Sequence, residues 1–157
     1  MKEPAKRIST KALRVWRISG VISSVFLWLL LIGASVAIFM NQWPLWIFFI
    51  LVAVGVAEVL IVVVILPNMR WKRWRYEVRE REIELQRGVF IVRRTLIPMT
   101  RVQHVDTKQG PLLRKYGLGA IHISTAATIH EIPAVEIEEA EEMRKVIAAL
   151  ARVEEDV

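Results

Sequence analysis

The stretches that decide the fold are residues 19–40, SGVISSVFLWLLLIGASVAIFM, and residues 45–66, LWIFFILVAVGVAEVLIVVVIL. Each reaches the length of about 20 apolar residues that a helix needs to cross the hydrocarbon core of a bilayer. Hydrocarbon offers no hydrogen-bond partners to the backbone, so both runs are predicted to be helices. The short segment between them, residues 41–44 (NQWP), predicts a tight turn. Residues 19–66 are therefore predicted to form a transmembrane helical hairpin.

Positive charge flanks this hairpin on both sides, whereas the connecting turn has none. Segments rich in Lys and Arg stay on the cytoplasmic side, which predicts a basic cytoplasmic N-terminus over residues 1–18 and a plasma-membrane protein with both termini in the cytoplasm. A secretory signal peptide cleaved after Ala37 is the competing interpretation of the first run. It is disfavoured because the apolar run continues past Ala37 and a second run follows at once.

Glu58 is the one ionisable residue within the two apolar runs. An intramembrane carboxyl group is a candidate functional group, and its partner has to be named. With a rise of about 1.5 Å per residue, the Ser24 hydroxyl and the Trp28 indole N–H fall at the depth of Glu58 on the other helix. We interpret Glu58 as a protonated side chain that joins helices, within this protein or toward a partner. Ion transport is disfavoured because two spans offer few polar groups.

Residues 67–157 are predicted to form a cytoplasmic domain, and their pattern of apolar and polar residues differs from that of the two apolar runs. Apolar and polar residues alternate with period two, which predicts strands. After Pro133, the apolar residues Ala140, Met143, Ile147 and Leu150 recur at helical spacing and predict an amphipathic helix over residues 136–150. The predicted fold class is thus a membrane helical hairpin plus an α+β domain, a curved antiparallel sheet or barrel capped by a C-terminal helix. The predicted strands are 74–78, 82–87, 89–97, 101–107, 120–125 and 128–132.

Composition excludes several kinds of chemistry. The chain has no cysteine, which removes disulfides, thiolate metal sites and thiol nucleophiles, and its 7 glycines never reach the spacing of a phosphate-binding loop. A metal site made by His104, His122 and His130 is disfavoured because paired ligand spacing is missing; His122 and His130 are assigned to the polar face of adjacent strands. The basic and aromatic run 70–75 is explained by anchoring at the membrane surface. We expect no cofactor, no metal, no nucleic-acid partner and no enzymatic activity.

An ordered series of short motifs carries a family resemblance. The series is Arg87-Gly88, Arg93-Arg94-Thr95, Ile97-Pro98, Arg101-Val102-Gln103, Val105-Asp106, Gln109-Gly110, Arg114, Gly117-Leu118-Gly119 and Ser124-Thr125-Ala126. With two spans before it and a helix after it, the chain resembles the bacterial pleckstrin-homology-like (PH-like), membrane-flanked domain family in its small two-span form. The resemblance implies a PH-like barrel capped by a helix, and a companion membrane protein with related PH-like domains. It also implies envelope protection or resistance to membrane-active peptides.

The densest polar set of the predicted domain lies within this series. One part is interpreted as a structural network in which Arg101 and Arg114 pair with Asp106 and Gln109 holds its loop. The other part is interpreted as contacting lipid or a partner, because each basic group near a membrane attracts anionic headgroups by about 1 kcal/mol. The network residues are Arg101, Gln103, Asp106 and Gln109, and the candidate contact residues are Arg93, Arg94, Arg114 and Lys115.

Two functions remain open at this stage. In the first, the protein is a non-catalytic subunit of a larger membrane complex, which docks through a sheet edge, the acidic C-terminal helix or the face of Glu58. In the second, it binds or senses anionic membrane lipids through its basic residues. The salt dependence of binding distinguishes these two functions, because attraction between exposed charges weakens at high ionic strength and helix packing does not.

Overall fold

The computed structural model describes residues 3–155, which form two compact units. One unit consists of residues 16–69. The other joins residues 3–15 to residues 70–155. The N-terminal segment is therefore part of the second unit, although a long apolar run separates the two in sequence.

Two long apolar helices account for the first unit. Helix α1 (Lys11–Met40) is followed by a tight turn, in which the Trp43 N–H donates to the Ile38 carbonyl at 3.0 Å. The returning helix runs over Leu45–Arg73 and is long and apolar enough to cross a membrane, as is α1. It comprises α2 (Leu45–Val59), a π-helical segment (Leu60–Ile65) and α3 (Leu66–Arg73). The predicted helices are present, and both extend beyond the apolar runs.

The second unit contains seven strands among the described residues, arranged in two antiparallel sheets. The first sheet has the order β1-β2-β3-β4 and the second has the order β5-β6-β7. The strands are β1 (Lys6–Arg7), β2 (Arg75–Val78), β3 (Glu82–Arg87), β4 (Arg93–Pro98), β5 (Val102–Lys108), β6 (Leu118–Thr125) and β7 (Ile129–Glu136). The helices are α4 (Pro111–Lys115) and α5 (Ile137–Glu155), with a 3-10 turn at Met99–Arg101.

The inward faces of the strands and one stripe of α5 form the core of this unit. Alternation places these residues on one side of each strand, as the sequence predicts. The predicted stripe of α5 is confirmed, with Ala140, Met143 and Ile147 buried and Leu150 half-buried. The large buried strand residues include Tyr76, Ile83, Leu85, Ile97, Leu118, Ile121, Ile123 and Ile132. These elements confirm the predicted antiparallel sheets capped by a C-terminal helix.

The N-terminal segment contributes an edge strand that the sequence does not predict. Lys6 and Arg7 of β1 pair with Tyr76 and Arg75 of β2, and the Ser9 N–H donates to the Ala134 carbonyl at 3.1 Å. A charged strand of two residues shows no alternation, so pattern analysis has nothing to detect.

The prediction that the last strand ends before Pro133 is wrong. Strand β7 continues through Pro133 to Glu136, and Ala134 takes a positive φ of 45°. Since β7 pairs only with β6 and lies at the edge of its sheet, a proline without an N–H donor is tolerated there.

The predicted strand over residues 89–97 is wrong at its first four positions. Gly88 has a φ of 139°, and residues 88–92 form a loop between the paired ends Arg87 and Arg93 of β3 and β4. A Cβ on Gly88 would lie 1.9 Å from the Ile91 carbonyl oxygen, so only glycine permits this reversal. The apolar residues Phe90 and Ile91 are left 82% and 75% exposed.

Candidate functional site

The intramembrane carboxyl group has a partner on the opposite helix. Ser24 Oγ lies 2.9 Å from Glu58 Oε1 and 2.9 Å from the Gly20 carbonyl oxygen, within hydrogen-bond distance of both. The second oxygen, Glu58 Oε2, is enclosed and has no hydrogen-bond partner among residues 3–155. The structure thus places Ser24, and not Trp28, against Glu58.

Small residues bring the two helices together around this contact. A Cβ on Gly55 would lie 2.9 Å from Leu31 Cδ1 and 3.0 Å from Trp28 Cζ2, so Trp28 packs on the glycine. A Cβ on Gly20 would lie 3.0 Å from the carbonyl oxygen of Val62. Close approach at small residues is the usual packing of membrane helices. The π-helical segment begins two residues after Glu58, and such irregular turns are frequent at functional sites.

An apolar groove lies on the hairpin beside Ser24. It has a volume of about 340 Å³ and exposes almost entirely carbon. Glu58 itself is half-buried, so part of its side chain reaches the surface of the hairpin. The groove is lined by Val21, Ser24, Val25, Trp28, Leu29, Ile32, Val59 and Val63.

The predicted polar network is only partly present. Asp106 Oδ1 lies 3.1 Å from His104 Nε2, and neither Arg101 nor Arg114 pairs with this carboxylate within residues 3–155. The physical reason is period two: His104 and Asp106 share one face of β5, whereas Arg101 ends the preceding 3-10 turn. The predicted role of Gln109 is present, because its Nε2 donates to the Leu118 carbonyl at 2.9 Å. Gln103, the remaining residue of the predicted network, is exposed on β5.

The predicted contact residues lie on two different elements. Arg93 and Arg94 begin β4 and are exposed, and Arg94 Nε donates to Gln86 Oε1 at 3.1 Å. Arg114 and Lys115 occupy the last turn of α4 and are also exposed.

A basic cavity that the sequence does not predict lies beside Arg93. We call it the arginine cavity: a space of about 320 Å³ lined by Arg70, Arg87 and Arg93, together with Trp74, Gly88, Val89 and Ile91. All of these residues belong to the second unit. Pattern analysis misses the cavity because it assigns residues 89–92 to a strand; the signal for it is the glycine between a basic residue and an apolar run.

Two further titratable groups lie near this cavity. His130 pairs in register with Ile123, a core residue, so its assignment to a polar face shared with His122 is wrong. Burial and, second, the positive charge of Arg87 lower the pKa of His130. Glu131 lies close enough to Arg70 to interact with it electrostatically. Among residues 3–155, no group of three or more His, Asp or Glu is arranged to hold a metal ion.

Two acidic residues where β7 meets α5 have partners within the second unit. Glu139 Oε1 accepts hydrogen bonds from the Tyr76 hydroxyl at 3.1 Å and from Lys6 Nζ at 3.4 Å, while Lys11 Nζ lies 3.2 Å from Glu136. Burial, followed by the neighbouring Glu139 carboxylate, raises the pKa of Tyr76. Glu139 of α5 and Glu136 of β7 therefore have partners within the second unit.

Comparison with known protein families shows to which family the chain belongs. The family model described as Bacterial PH domain matches residues 12–151. The chain belongs to the Bacterial PH domain family. This bacterial PH domain protein is 48% identical over 155 residues to the UPF0699 transmembrane protein YdbS of Bacillus subtilis (strain 168), covering 99% of this chain and 98% of that relative. The predicted family is thereby confirmed, and the chain is a transmembrane protein with two candidate spans.

A longer protein shares part of the sequence. The UPF0699 transmembrane protein YdbT of Bacillus subtilis (strain 168) is 25% identical over 99 residues, which is 60% of this chain and 20% of that protein. No solved structure matches the chain.

Proposed function

We propose that this bacterial PH domain protein is a non-catalytic, membrane-anchored interaction module and a subunit of a bacterial membrane complex. In this proposal both termini lie on the cytoplasmic side of the plasma membrane, and the complex serves envelope protection or resistance to membrane-active peptides. The observation that carries the proposal is the incompletely satisfied carboxyl group of Glu58 in the membrane hairpin.

The energetics of Glu58 favour a partner inside the membrane. A carboxyl group in hydrocarbon is expensive, and each polar atom left without a hydrogen bond adds to that cost. Ser24 satisfies one oxygen only. A partner helix seated in the apolar groove lets the half-buried Glu58 side chain turn toward a polar group on the partner, which removes the deficit.

The partner that we propose is a longer membrane protein with related PH-like domains. Two observations support this choice. The chain resembles part of YdbT, a longer transmembrane protein from the organism that also has YdbS, a relative of this chain's own size. In addition, Glu139 of α5 and Glu136 at the end of β7 already bind Lys6 and Lys11, and this favours the hairpin over that acidic surface for docking.

Co-purification tests the complex. The tagged full-length protein is purified from its native membranes in mild detergent, and we expect a stoichiometric membrane protein that stays bound at high salt. Glu58→Leu is expected to reduce its recovery at least tenfold, while Glu58→Gln, which keeps hydrogen-bonding capacity, retains more of it.

A matched pair of serine variants serves as the control. Ser24→Ala removes the interhelical contact of Glu58, whereas Ser35→Ala removes only a bond to the Leu31 carbonyl of its own helix, at 2.7 Å. We expect an effect from Ser24→Ala alone. Recovery of the wild-type protein without a partner, or full recovery of the partner with Glu58→Leu, contradicts the proposal.

Binding of anionic lipid is the second candidate function. It is favoured by the exposed basic residues Arg93, Arg94, Arg114 and Lys115 and by the arginine cavity. Lipid attraction through such groups weakens as salt rises, unlike the helix contact proposed above.

A further inference from the structure

We infer that the arginine cavity binds the phosphate group of an anionic phospholipid, while the loop formed by residues 88–92 inserts its apolar tip among the lipid chains. This inference deepens the second candidate function and is independent of the proposed complex. It assigns the lipid contact to one site, which includes two residues, Arg70 and Arg87, outside the predicted contact set.

The tip of the loop has the chemistry of a membrane-inserting segment. Phe90 and Ile91 are 82% and 75% exposed, and Val92 is 39% exposed, although each is apolar. The reversal at Gly88 fixes them at the end of the β3–β4 hairpin, where they have no core to join. An apolar tip with basic residues at its base fits the surface of a bilayer, because the tip can enter the hydrocarbon while the basic residues meet the phosphate groups at the surface.

The arginines at the base of the loop are suited to a phosphate. Arg87 and Arg93 face each other in the register of the hairpin, and both line the cavity. Neither guanidinium has a hydrogen bond or ion pair within residues 3–155, and Arg87 adds its charge beside His130. Guanidinium groups bind phosphate oxygens in a bidentate manner, and an anion here relieves the repulsion among like charges.

The third side of the cavity comes from residues close in sequence to the second long apolar helix. Arg70 lies in the last turn of the helix Leu45–Arg73, which is long and apolar enough to span a bilayer, and Trp74 directly follows that helix. Tryptophan favours the interface between lipid and water, and basic pockets at the ends of membrane helices bind anionic headgroups. Glu131 interacts electrostatically with Arg70, whereas the described lining of the cavity holds three arginines and no acidic residue, so the lining is positively charged.

The absence of cysteine makes insertion directly measurable. A single Phe90→Cys is labelled with an environment-sensitive fluorophore in the full-length protein, which is reconstituted in nanodiscs of phosphatidylcholine with or without phosphatidylglycerol. We expect the emission of the label to report an apolar environment, and to be quenched by nitroxide-labelled lipid, only when phosphatidylglycerol is present. Val146→Cys, 45% exposed on α5, is the control and is expected to stay aqueous.

Charge variants then locate the site. Arg87→Gln and Arg93→Gln are each expected to raise the phosphatidylglycerol fraction needed for insertion about fivefold. The matched control is Lys145→Gln with Arg152→Gln, two exposed basic residues of α5, and it is expected to change nothing. Inorganic phosphate, added to nanodiscs that contain phosphatidylglycerol, is expected not to displace the lipid.

Each other outcome overturns the inference. A Phe90 label that stays aqueous in every nanodisc shows that the loop does not insert. Insertion that is indifferent to phosphatidylglycerol and to both arginines removes the phosphate site, and displacement by inorganic phosphate indicates a soluble ligand. If only Arg114→Gln and Lys115→Gln weaken phosphatidylglycerol binding, the protein binds anionic lipid, but not at the arginine cavity.

Discussion

Replacement of Gly88 by alanine tests whether this one residue holds the β3–β4 loop. A φ of 139° costs an L residue about 1–3 kcal/mol. The new Cβ would also lie 1.9 Å from the Ile91 carbonyl oxygen, an overlap with backbone that no side-chain rotation relieves. We therefore expect the upper end of that range, about 3 kcal/mol. In a domain of about 100 residues this lowers the melting temperature by roughly 12–24 °C.

Gly110→Ala provides the matched control for this prediction. Gly110 has a φ of −76°, and a Cβ built on it meets no atom within 4 Å, so we expect a change of less than about 1 kcal/mol. Both variants are compared with the wild-type protein in mild detergent by differential scanning calorimetry. Equal melting temperatures for Gly88→Ala and Gly110→Ala would refute the assignment of Gly88 as the residue that holds the loop.

Three further predictions concern the second unit. Ile123→Ala is expected to destabilise it by about 2–5 kcal/mol, because Ile123 is fully buried, whereas Ile129→Ala, 62% exposed, leaves the melting temperature nearly unchanged. Tyr76→Phe removes the hydrogen bond to Glu139 and is expected to cost about 1 kcal/mol in urea unfolding; no change would show that water replaces the bond. Because the pKa of His130 is lowered in the folded state, the unfolded chain binds more protons as the pH falls through 6.5, so stability decreases there. His130→Gln is expected to flatten this pH dependence of the melting temperature, while His104→Gln, at an exposed site, is expected to keep it.

Much of the secondary structure follows from local pattern. Strand β3 is predicted at its observed bounds, and β2 and β5 within one residue. In β3 the alternation is visible in the structure, because the buried Ile83 and Leu85 alternate with the half-buried Glu82 and Glu84. The errors have local causes too. The run 89–92 continues the apolar pattern of a strand, but the φ of Gly88 turns the chain, and β1 is too short to carry a pattern at all.

The candidate sites show a sharper division. The rise per residue of two helices limits the partner of Glu58 to Ser24 or Trp28, and the structure selects Ser24. The partner of Asp106 is not predictable from sequence, because it depends on which faces the bulged strand β5 presents. The arginine cavity joins residues 70, 87 and 93, and their meeting depends on a hairpin loop that returns to the end of a helix.

The sequence by itself determined that the chain has two helices long and apolar enough to span a membrane, has a PH-like domain with a C-terminal helix, and belongs to the Bacterial PH domain family. These properties depend on run length, period and motif order, which are local. Only the tertiary structure decided that residues 3–15 join the domain, that Phe90 and Ile91 are exposed, and that three arginines surround one cavity. The physical reason is that such contacts arise between segments distant along the chain, where backbone reversals and strand register, not local composition, set which side chains meet.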